Sequence, residues 1–256
     1  FRALDATAAL GVALHHLAAA VHLLGEYDEE RGLLEESVGL LRASGDLWTT
    51  AYSLNDLGRV ARLQGDIDGA RRLAEESLAM LRQFEDQRGI AFALDNLGAI
   101  AAARGDEGLA HRLHEECLAL RRALGDGWGI ASTLGELGAL ARRRGERERA
   151  WAFLCEAVDT AMANRTPPVA LAALTELAAL IVEAADVSLA EDILRGVLRH
   201  PGRTRDTHRA ADALLAGMRD PRARAHEDDL PEEEAERSID NLVGRLPASP
   251  TLVQDE

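Results

Sequence analysis

Lysine is absent from this 256-residue chain, so all 29 basic residues are arginines. A phosphate-loop lysine, a Schiff-base lysine and a lysine general base are therefore excluded within it. Acidic residues number 44, which leaves a net charge of −15. This balance argues against nucleic-acid binding, which needs a basic face, and against docking on an anionic membrane surface.

Cysteine, proline and aromatic residues are also scarce. Cys117 and Cys155 are too few for a secreted disulfide scaffold, so we expect a reducing, cytoplasmic setting. Aromatic residues make up only 4%, and alanine and leucine supply most of the apolar content, which favours packed helices over a sheet. The apolar stretch around 169–182 contains Glu176 and is too short to span a bilayer. Because helical pattern begins almost at Phe1, we expect a piece of a longer protein.

A sequence motif recurs every 40 residues. Gly25, Gly65, Gly105 and Gly145 are 40 residues apart, and each precedes an acidic residue. A weaker fifth copy has Ala185-Asp186 at the corresponding place. Self-similarity at a fixed period of this length predicts a solenoid of stacked repeats.

Each repeat is predicted to contain two helices. In the first helix of the second repeat, Leu54, Leu57, Gly58 and Ala61 follow i, i+3, i+4, i+7 spacing and form one apolar stripe. The Gly65-Asp66 pair then ends that helix, because glycine suits a left-handed position after a helix. Glycine inside a helix costs about 1 kcal/mol relative to alanine, so Gly58 predicts a close crossing by another helix.

The run Leu57-Gly58, Ala61, Gly65-Asp66, Ala70 resembles the tetratricopeptide repeat in its 40-residue form. The match recurs in the next two repeats and covers about residues 8–200. This resemblance implies an all-α, right-handed superhelical solenoid of antiparallel helix pairs. HEAT and armadillo repeats have similar periods and remain the alternative.

The predicted organisation is an array over residues 1–218 followed by an acidic linker and tail over 219–256. We expect repeats near 8–43, 48–83, 88–123, 128–163 and 168–199, and a closing helix near 203–218. The tail is interpreted as a solvated segment. The alternatives are that it caps the array or occupies the groove of a neighbouring copy, which would give self-association.

The long, arginine-rich repeat also resembles the C-terminal sensor arrays of bacterial STAND-type signalling ATPases and antibiotic-regulator-type transcription factors. The segment Leu198–Leu215, with its His-Pro turn, strengthens this resemblance. It implies a cytoplasmic, non-enzymatic module that binds a protein or peptide and needs no cofactor or metal. The alternative is a domain that senses a small-molecule effector for a parent ATPase or transcription factor. An enzyme would need a catalytic constellation, and we recognise none in the sequence.

In the resembling family, the first helices of the repeats line a concave groove. The residues predicted to line it and bind a partner are Tyr52, Asn55, Asp56, Arg59, Arg62, Phe92, Asn96, Ser132, Glu136 and Arg142. The amide of Asn96 suits a ligand's backbone because it both donates and accepts hydrogen bonds. Arg59, Arg62 and Arg142 suit an acidic group. For each residue the alternative is a solvated helix face.

A few other polar and aromatic residues could have a function, as metal ligands or as a nucleophile, and each also has a structural explanation. His111 and His114 lie one helical turn apart, as metal ligands do, but we expect one at the surface and the other partly in the core. Cys117 aligns with small residues in other repeats and is interpreted as a buried packing residue, not a nucleophile. Trp48 and Trp128 are expected to pack in the core.

Overall fold

The computed structural model of the chain describes residues 2–183, 187–218, 243, 244 and 246. Within these residues it contains eleven α-helices: α1 (Arg2–Leu24), α2 (Tyr27–Ser44), α3 (Leu47–Leu63), α4 (Ile67–Gln83), α5 (Gln87–Ala103), α6 (Glu107–Leu124), α7 (Gly127–Arg143), α8 (Arg147–Ala163), α9 (Pro167–Glu183), α10 (Val187–Arg199) and α11 (Arg205–Met218). The predicted turn at Ala185-Asp186 lies outside the described residues, as does the predicted tail apart from three positions.

The helices belong to two compact units, α1 to α6 and α7 to α11. In the first unit, α1 pairs with α2, α3 with α4 and α5 with α6; α2 also packs on α3, α4 packs on α5, and α3 touches α5. In the second unit, α7 pairs with α8, α9 packs against α7, α8 and α10, and α11 closes against α9 and α10. The predicted all-α array of stacked helix pairs with a closing helix is confirmed.

A Gly-Asp dipeptide both ends one helix and begins the next. Gly65 has φ +88°, and its N–H donates to the carbonyl of Arg62 at 3.0 Å. The N–H of Asp66 donates to the carbonyl of Ala61 at 2.9 Å, which completes a Schellman motif. The Asp66 carboxylate then accepts from the N–H of Gly69 at 2.9 Å and caps α4. The same dipeptide recurs at 45–46, 105–106 and 125–126. In two other turns Glu85 and Arg165 take the glycine's place with φ of +55° and +52°, respectively.

The repeated glycines Gly58, Gly98 and Gly138 lie at close helix crossings, as their sequence position predicts. A Cβ added to Gly98 would lie 2.6 Å from the ring of His114, and one added to Gly138 would lie 2.5 Å from Cγ of Leu154. His114 and Leu154 occupy the same position of the second helix in successive repeats. The missing side chain therefore makes room for one particular residue of the partner helix.

Another repeated position holds a small buried donor. Ser37, Ser77 and Cys117 are fully buried, and each donates to the backbone carbonyl of the residue 26 positions earlier. The donor–acceptor distances are 2.8, 2.7 and 3.2 Å, respectively. This confirms the interpretation of Cys117 as a packing residue.

We expect Cys117→Ser to change the free energy of unfolding by less than about 1 kcal/mol, because the first two repeats already have serine at this position. Cys117→Ala removes the donor and is expected to cost more than the serine variant. Urea unfolding measures both. A larger loss for serine than for alanine would contradict the interpretation.

Candidate partner-binding face

The partly exposed side chains of α3 and α5 form one surface of the first unit, here named the first-helix face. On α3 this surface contains Tyr52, Asp56, Arg59 and Arg62, which follow helical spacing. On α5 it contains, in the corresponding row, Phe92, Asp95, Ala99 and Ala102. Because α3 and α5 touch directly, the two rows lie side by side. Four of the residues predicted to bind a partner, all those on α3 except Asn55, thus lie in one row, and Phe92 lies in the next.

Three aromatic rings form a shelf at one end of this face. The ring centroids of Trp48 and Tyr52 are 4.8 Å apart, and those of Tyr52 and Phe92 are 6.4 Å apart with an interplanar angle of 27°. Trp48 is 50% exposed, while the other two rings are partly buried beside it. We name these three residues the aromatic shelf.

Asp86 holds two rings of the aromatic shelf through hydrogen bonds. Its Oδ2 accepts from Trp48 Nε1 at 2.9 Å and from the Tyr52 hydroxyl at 2.8 Å. Its Oδ1 accepts from the N–H of Gly89 at 3.1 Å, so the same carboxylate caps α5. Burial raises the pKa of Asp86, but these donors outweigh it and hold the pKa below its usual value. Burial and the bond to Asp86 raise the pKa of Tyr52, so both side chains keep the protonation states that this bond needs.

The exposure of the two tryptophans corrects the expectation that they pack in the core. Trp48 and Trp128 are each 50% exposed. Each is the second residue of a helix that follows an aspartate N-cap, which places it at the end of a helix and not in the middle. The equivalent position in α5 is Arg88, a polar residue. That difference between repeats is the sequence signal that marks the position as exposed.

A charged network connects the other end of the face to α1 and α2. The fully buried Glu30 accepts from Arg59 Nη2 at 2.8 Å and lies 2.9 Å from His22 Nδ1. Arg59 also lies 3.4 Å from the carboxylate of Asp56, which is 3.8 Å from His15 Nδ1. Burial raises the pKa of Asp56 against the opposing charges of Arg59 and His15, and burial lowers the pKa of His15. The guanidinium of Arg59 therefore already has a carboxylate partner inside the protein.

Arg142 is similarly occupied in the second unit. Its Nε donates to Glu176 at 3.1 Å, and its Nη1 donates to Glu183 at 2.7 Å, so it joins α7 to α9. Burial lowers the pKa of Arg142, but the two carboxylates outweigh it and raise the pKa. On the same helix, Ser132 is half-buried and Glu136 is exposed. An acidic ligand would have to displace these intramolecular carboxylates before it could pair with Arg142.

The two predicted asparagines are buried, which corrects their placement in an open groove. Asn55 has no exposed surface and Asn96 has very little. Asn96 Nδ2 donates to the backbone carbonyl of Asn55 at 3.0 Å and so joins α5 to α3. It lies 3.3 Å from the place where a Cβ of Gly58 would be, in the space left by the small residue Ala74. These amides lie between first helices and present almost no surface to a ligand.

The two histidines one turn apart on α6 contact different carboxylates. His111 Nδ1 lies 3.3 Å from Glu115, while His114 is buried against Gly98 and lies 3.4 Å from Asp95. Among the described residues, no group of three histidine, cysteine or carboxylate side chains is arranged to hold a metal ion. His114 therefore belongs to the packing between α5 and α6.

Comparison with known proteins agrees with this architecture. The tetratricopeptide repeat model matches residues 9–83 and 49–123. A crystal structure of BtubC (BKLC) from P. vanneervenii is similar with a TM-score of 0.60 and 17% identity, over 84% of this chain and 89% of that one. No curated protein matches the chain.

A crystal structure of nearly identical TPR-like repeats from a Podosopora anserina putative kinesin light chain is also similar. Its TM-score is 0.54 at 20% identity, over 85% of this chain and 99% of that one. The crystal structure of a point variant of those repeats gives a TM-score of 0.56 at 20% identity, over 82% of this chain and 98% of that one. The fold is thus that of tetratricopeptide-like helical repeats, and such repeats indicate a scaffold for protein interaction. No helix within the described residues is both long and apolar enough to cross a membrane.

Proposed function

We propose that the first-helix face binds a peptide segment of a partner protein and that the aromatic shelf anchors it. The observation that carries this proposal is the shelf itself: three neighbouring rings, one of them half exposed, two of which are held in place by hydrogen bonds to the carboxylate of Asp86. Rigid, partly exposed aromatic residues are the usual hot spots of interfaces, because they bury large areas at little entropic cost. Tetratricopeptide repeats are generally non-catalytic scaffolds, and binding without chemistry agrees with this.

The chemistry of the shelf defines the segment it would accept. An apolar or cationic side chain can lie on the exposed face of Trp48, where a cation also gains from the ring's negative face. The chain's charge of −15 favours a segment with basic residues beside that anchor. Since Arg59 and Arg142 are paired with internal carboxylates, they offer little to an acidic ligand. The partner proposed is therefore a basic-flanked peptide with one apolar or aromatic anchor.

The role as a sensory or scaffolding module of a bacterial signalling regulator, in the cytoplasm, remains a prediction from the resemblance of the repeats. This predicted role is compatible with the proposed binding face, because an array of this kind can sense a signal when a ligand binds to that face or leaves it. Peptide binding and regulation are separate claims. The experiment that follows tests the first.

A phage-displayed peptide library selected against the protein supplies the probes, and fluorescence polarisation measures their affinity. We expect Trp48→Ala to weaken the selected peptides at least about tenfold, as loss of a hot-spot residue does. Trp48→Phe keeps a ring on the shelf and should lose less. Trp128→Ala is the matched control, because Trp128 is equally exposed but lies in the second unit. Peptides that bind the wild type and Trp48→Ala equally would refute the proposal.

A further inference from the structure

A cavity of about 320 Å³ is lined by residues of α4, α5 and α6 in the first unit. Its volume is at the lower end of the range of small-molecule sites, about 300–1,000 Å³. Both α4 and α6 pack against α5, whose buried side chains form the floor of the cavity. An apolar group placed there would leave water and contact apolar side chains on two helices. Those side chains are Leu97, Ile100 and Ala101 of α5, and Leu109 and Leu113 of α6.

Two arginines line the same cavity. Arg71 lies on α4, and Arg104 directly follows the last residue of α5. Arg71 Nη1 donates to Glu75 at 3.3 Å, and Arg104 Nη1 donates to Asp68 at 3.2 Å. All four of these side chains are exposed, and exposed ion pairs of this kind contribute little to stability. A ligand carboxylate can therefore join or replace these acidic partners, unlike the fully buried carboxylate of the charged network at the first-helix face.

The preceding repeat differs at one of these two positions. Arg31 corresponds to Arg71, but Gln64 corresponds to Arg104. Gln64 Oε1 accepts from Arg31 Nη1 at 2.9 Å, so this amide joins the end of α3 to α2. A guanidinium has donors and no acceptor, so Arg104 does not replace that oxygen. The cavity is thus lined by two donor groups at the positions where the preceding repeat has a donor and an acceptor.

We propose that this cavity binds a small organic carboxylate with an apolar body. The carboxylate accepts hydrogen bonds from Arg71 and Arg104, and the apolar body lies against the floor that α5 supplies. Asp106, which also lines the cavity, caps α6 by accepting from the N–H of Leu109 at 3.0 Å. The chain's charge of −15 repels anions, but at physiological ionic strength salt screens this repulsion beyond about 8 Å, so the two nearby arginines decide.

This site is separate from the proposed peptide site, because the residues that line the cavity do not include those of the aromatic shelf. Phenylbutyrate is a suitable probe, since it joins a carboxylate to an apolar body of the right size. Phenylbutanamide has the same shape without the charge and serves as the matched ligand.

A ligand-observed NMR titration of the purified chain with both compounds tests the proposal. A ligand of about 12 non-hydrogen atoms is expected to bind with a dissociation constant of about 1 mM. We expect phenylbutyrate to bind at least about tenfold more tightly than phenylbutanamide, because charge-assisted hydrogen bonds are the stronger ones. A carboxylate that binds no better than the amide, or that shows no saturable binding up to about 10 mM, would refute the proposal.

Arg104→Gln locates the binding, because it installs the residue of the preceding repeat and removes one of the two cations. We expect it to weaken phenylbutyrate at least about fivefold and to leave the amide unchanged. Arg82→Gln is the matched control: it removes the same charge from an exposed arginine of α4 that lies 3.8 Å from Glu116 of α6, outside the cavity. Unchanged affinity in Arg104→Gln, or an equal loss in Arg82→Gln, would overturn the proposed site.

Discussion

Asp95→Ala is expected to lower the free energy of unfolding of the first unit by about 3 kcal/mol. Asp95 on α5 lies 3.3 Å from Arg121 Nη2 and 3.4 Å from His114 Nδ1, both on α6, and these two partners are almost fully buried. A buried pair need not stabilise a fold, but removing one member leaves the other charge in a medium that solvates it poorly. Chemical denaturation of the wild type and the variant gives the difference.

A triple variant separates the loss of a partner from the loss of packing. Other repeats carry Leu154 at the position of His114 and Leu81 at that of Arg121, so the fold already accommodates leucine at both. We expect Asp95→Ala combined with His114→Leu and Arg121→Leu to recover most of the stability lost by the single change, because the buried polar side chains that interact with Asp95 are then replaced by apolar ones. A triple variant as unstable as Asp95→Ala would show that the loss is not electrostatic.

The same site has a defined dependence on pH. Burial raises the pKa of Asp95, but the bond with His114 and the charge of Arg121 outweigh it, so the pKa lies below the usual 3.8. A carboxyl group with a depressed pKa contributes stability above its unfolded-state pKa and loses that contribution as pH falls through the folded-state value. The stability difference between the wild type and Asp95→Asn should therefore shrink as the pH falls below 3.8. A difference that grows on acidification would contradict this assignment.

The helix pairs and their turns can be predicted from the sequence because their causes are local and repeated. The Gly65-Asp66 turn satisfies both helix ends with its own two residues, so its signal does not depend on distant contacts. The glycine at Gly98 is predictable for a different reason. A residue unfavourable in helices that recurs at a fixed period must be compensated by packing, and His114 supplies that packing.

The details of the binding face could not be predicted in the same way. A helix with one apolar stripe is expected to have an open opposite side, but α3 and α5 also touch one another, which buries Asn55 and Asn96. On α5 it is Asp95, not Asn96, that takes the partly exposed position. A polar residue between two first helices has the same sequence signature as one in solvent, so only the packing of neighbouring repeats distinguishes them.

The Asp95 site shows a signal in the sequence that a comparison of repeats reveals. Three positions of the third repeat depart together from their counterparts: Asp95, His114 and Arg121 replace uncharged residues. Each of these residues alone resembles a polar residue at the surface. Together they place an acidic residue on α5 and two basic residues on its partner helix α6, which is the pattern of a buried ion cluster.

Gly138→Ala and Gly135→Ala are expected to change stability in opposite directions, although both lie on α7. A Cβ at position 138 would lie 2.5 Å from Cγ and 2.6 Å from Cδ2 of Leu154, whereas a Cβ at position 135 meets no atom within 4 Å. Alanine is favoured over glycine in a helix by about 1 kcal/mol, so Gly135→Ala should stabilise the second unit by about that amount. At position 138 an overpacking cost of about 1–3 kcal/mol opposes this gain.

The expected net loss for Gly138→Ala is about 1 kcal/mol, because the crossing can widen somewhat: the first repeat pairs Ala18 with Leu34 at the same two positions, and both are buried. The clash is specific to Leu154, so a double-mutant cycle isolates it. In a Leu154→Ala background, Gly138→Ala should no longer destabilise, because the Cγ and Cδ2 atoms that would lie within 3 Å of the added Cβ are then absent, and the remaining neighbour, the backbone N of residue 154, is 3.4 Å away. If Gly138→Ala lowers the free energy of unfolding equally with leucine or alanine at position 154, a clash with Leu154 does not explain why glycine is required.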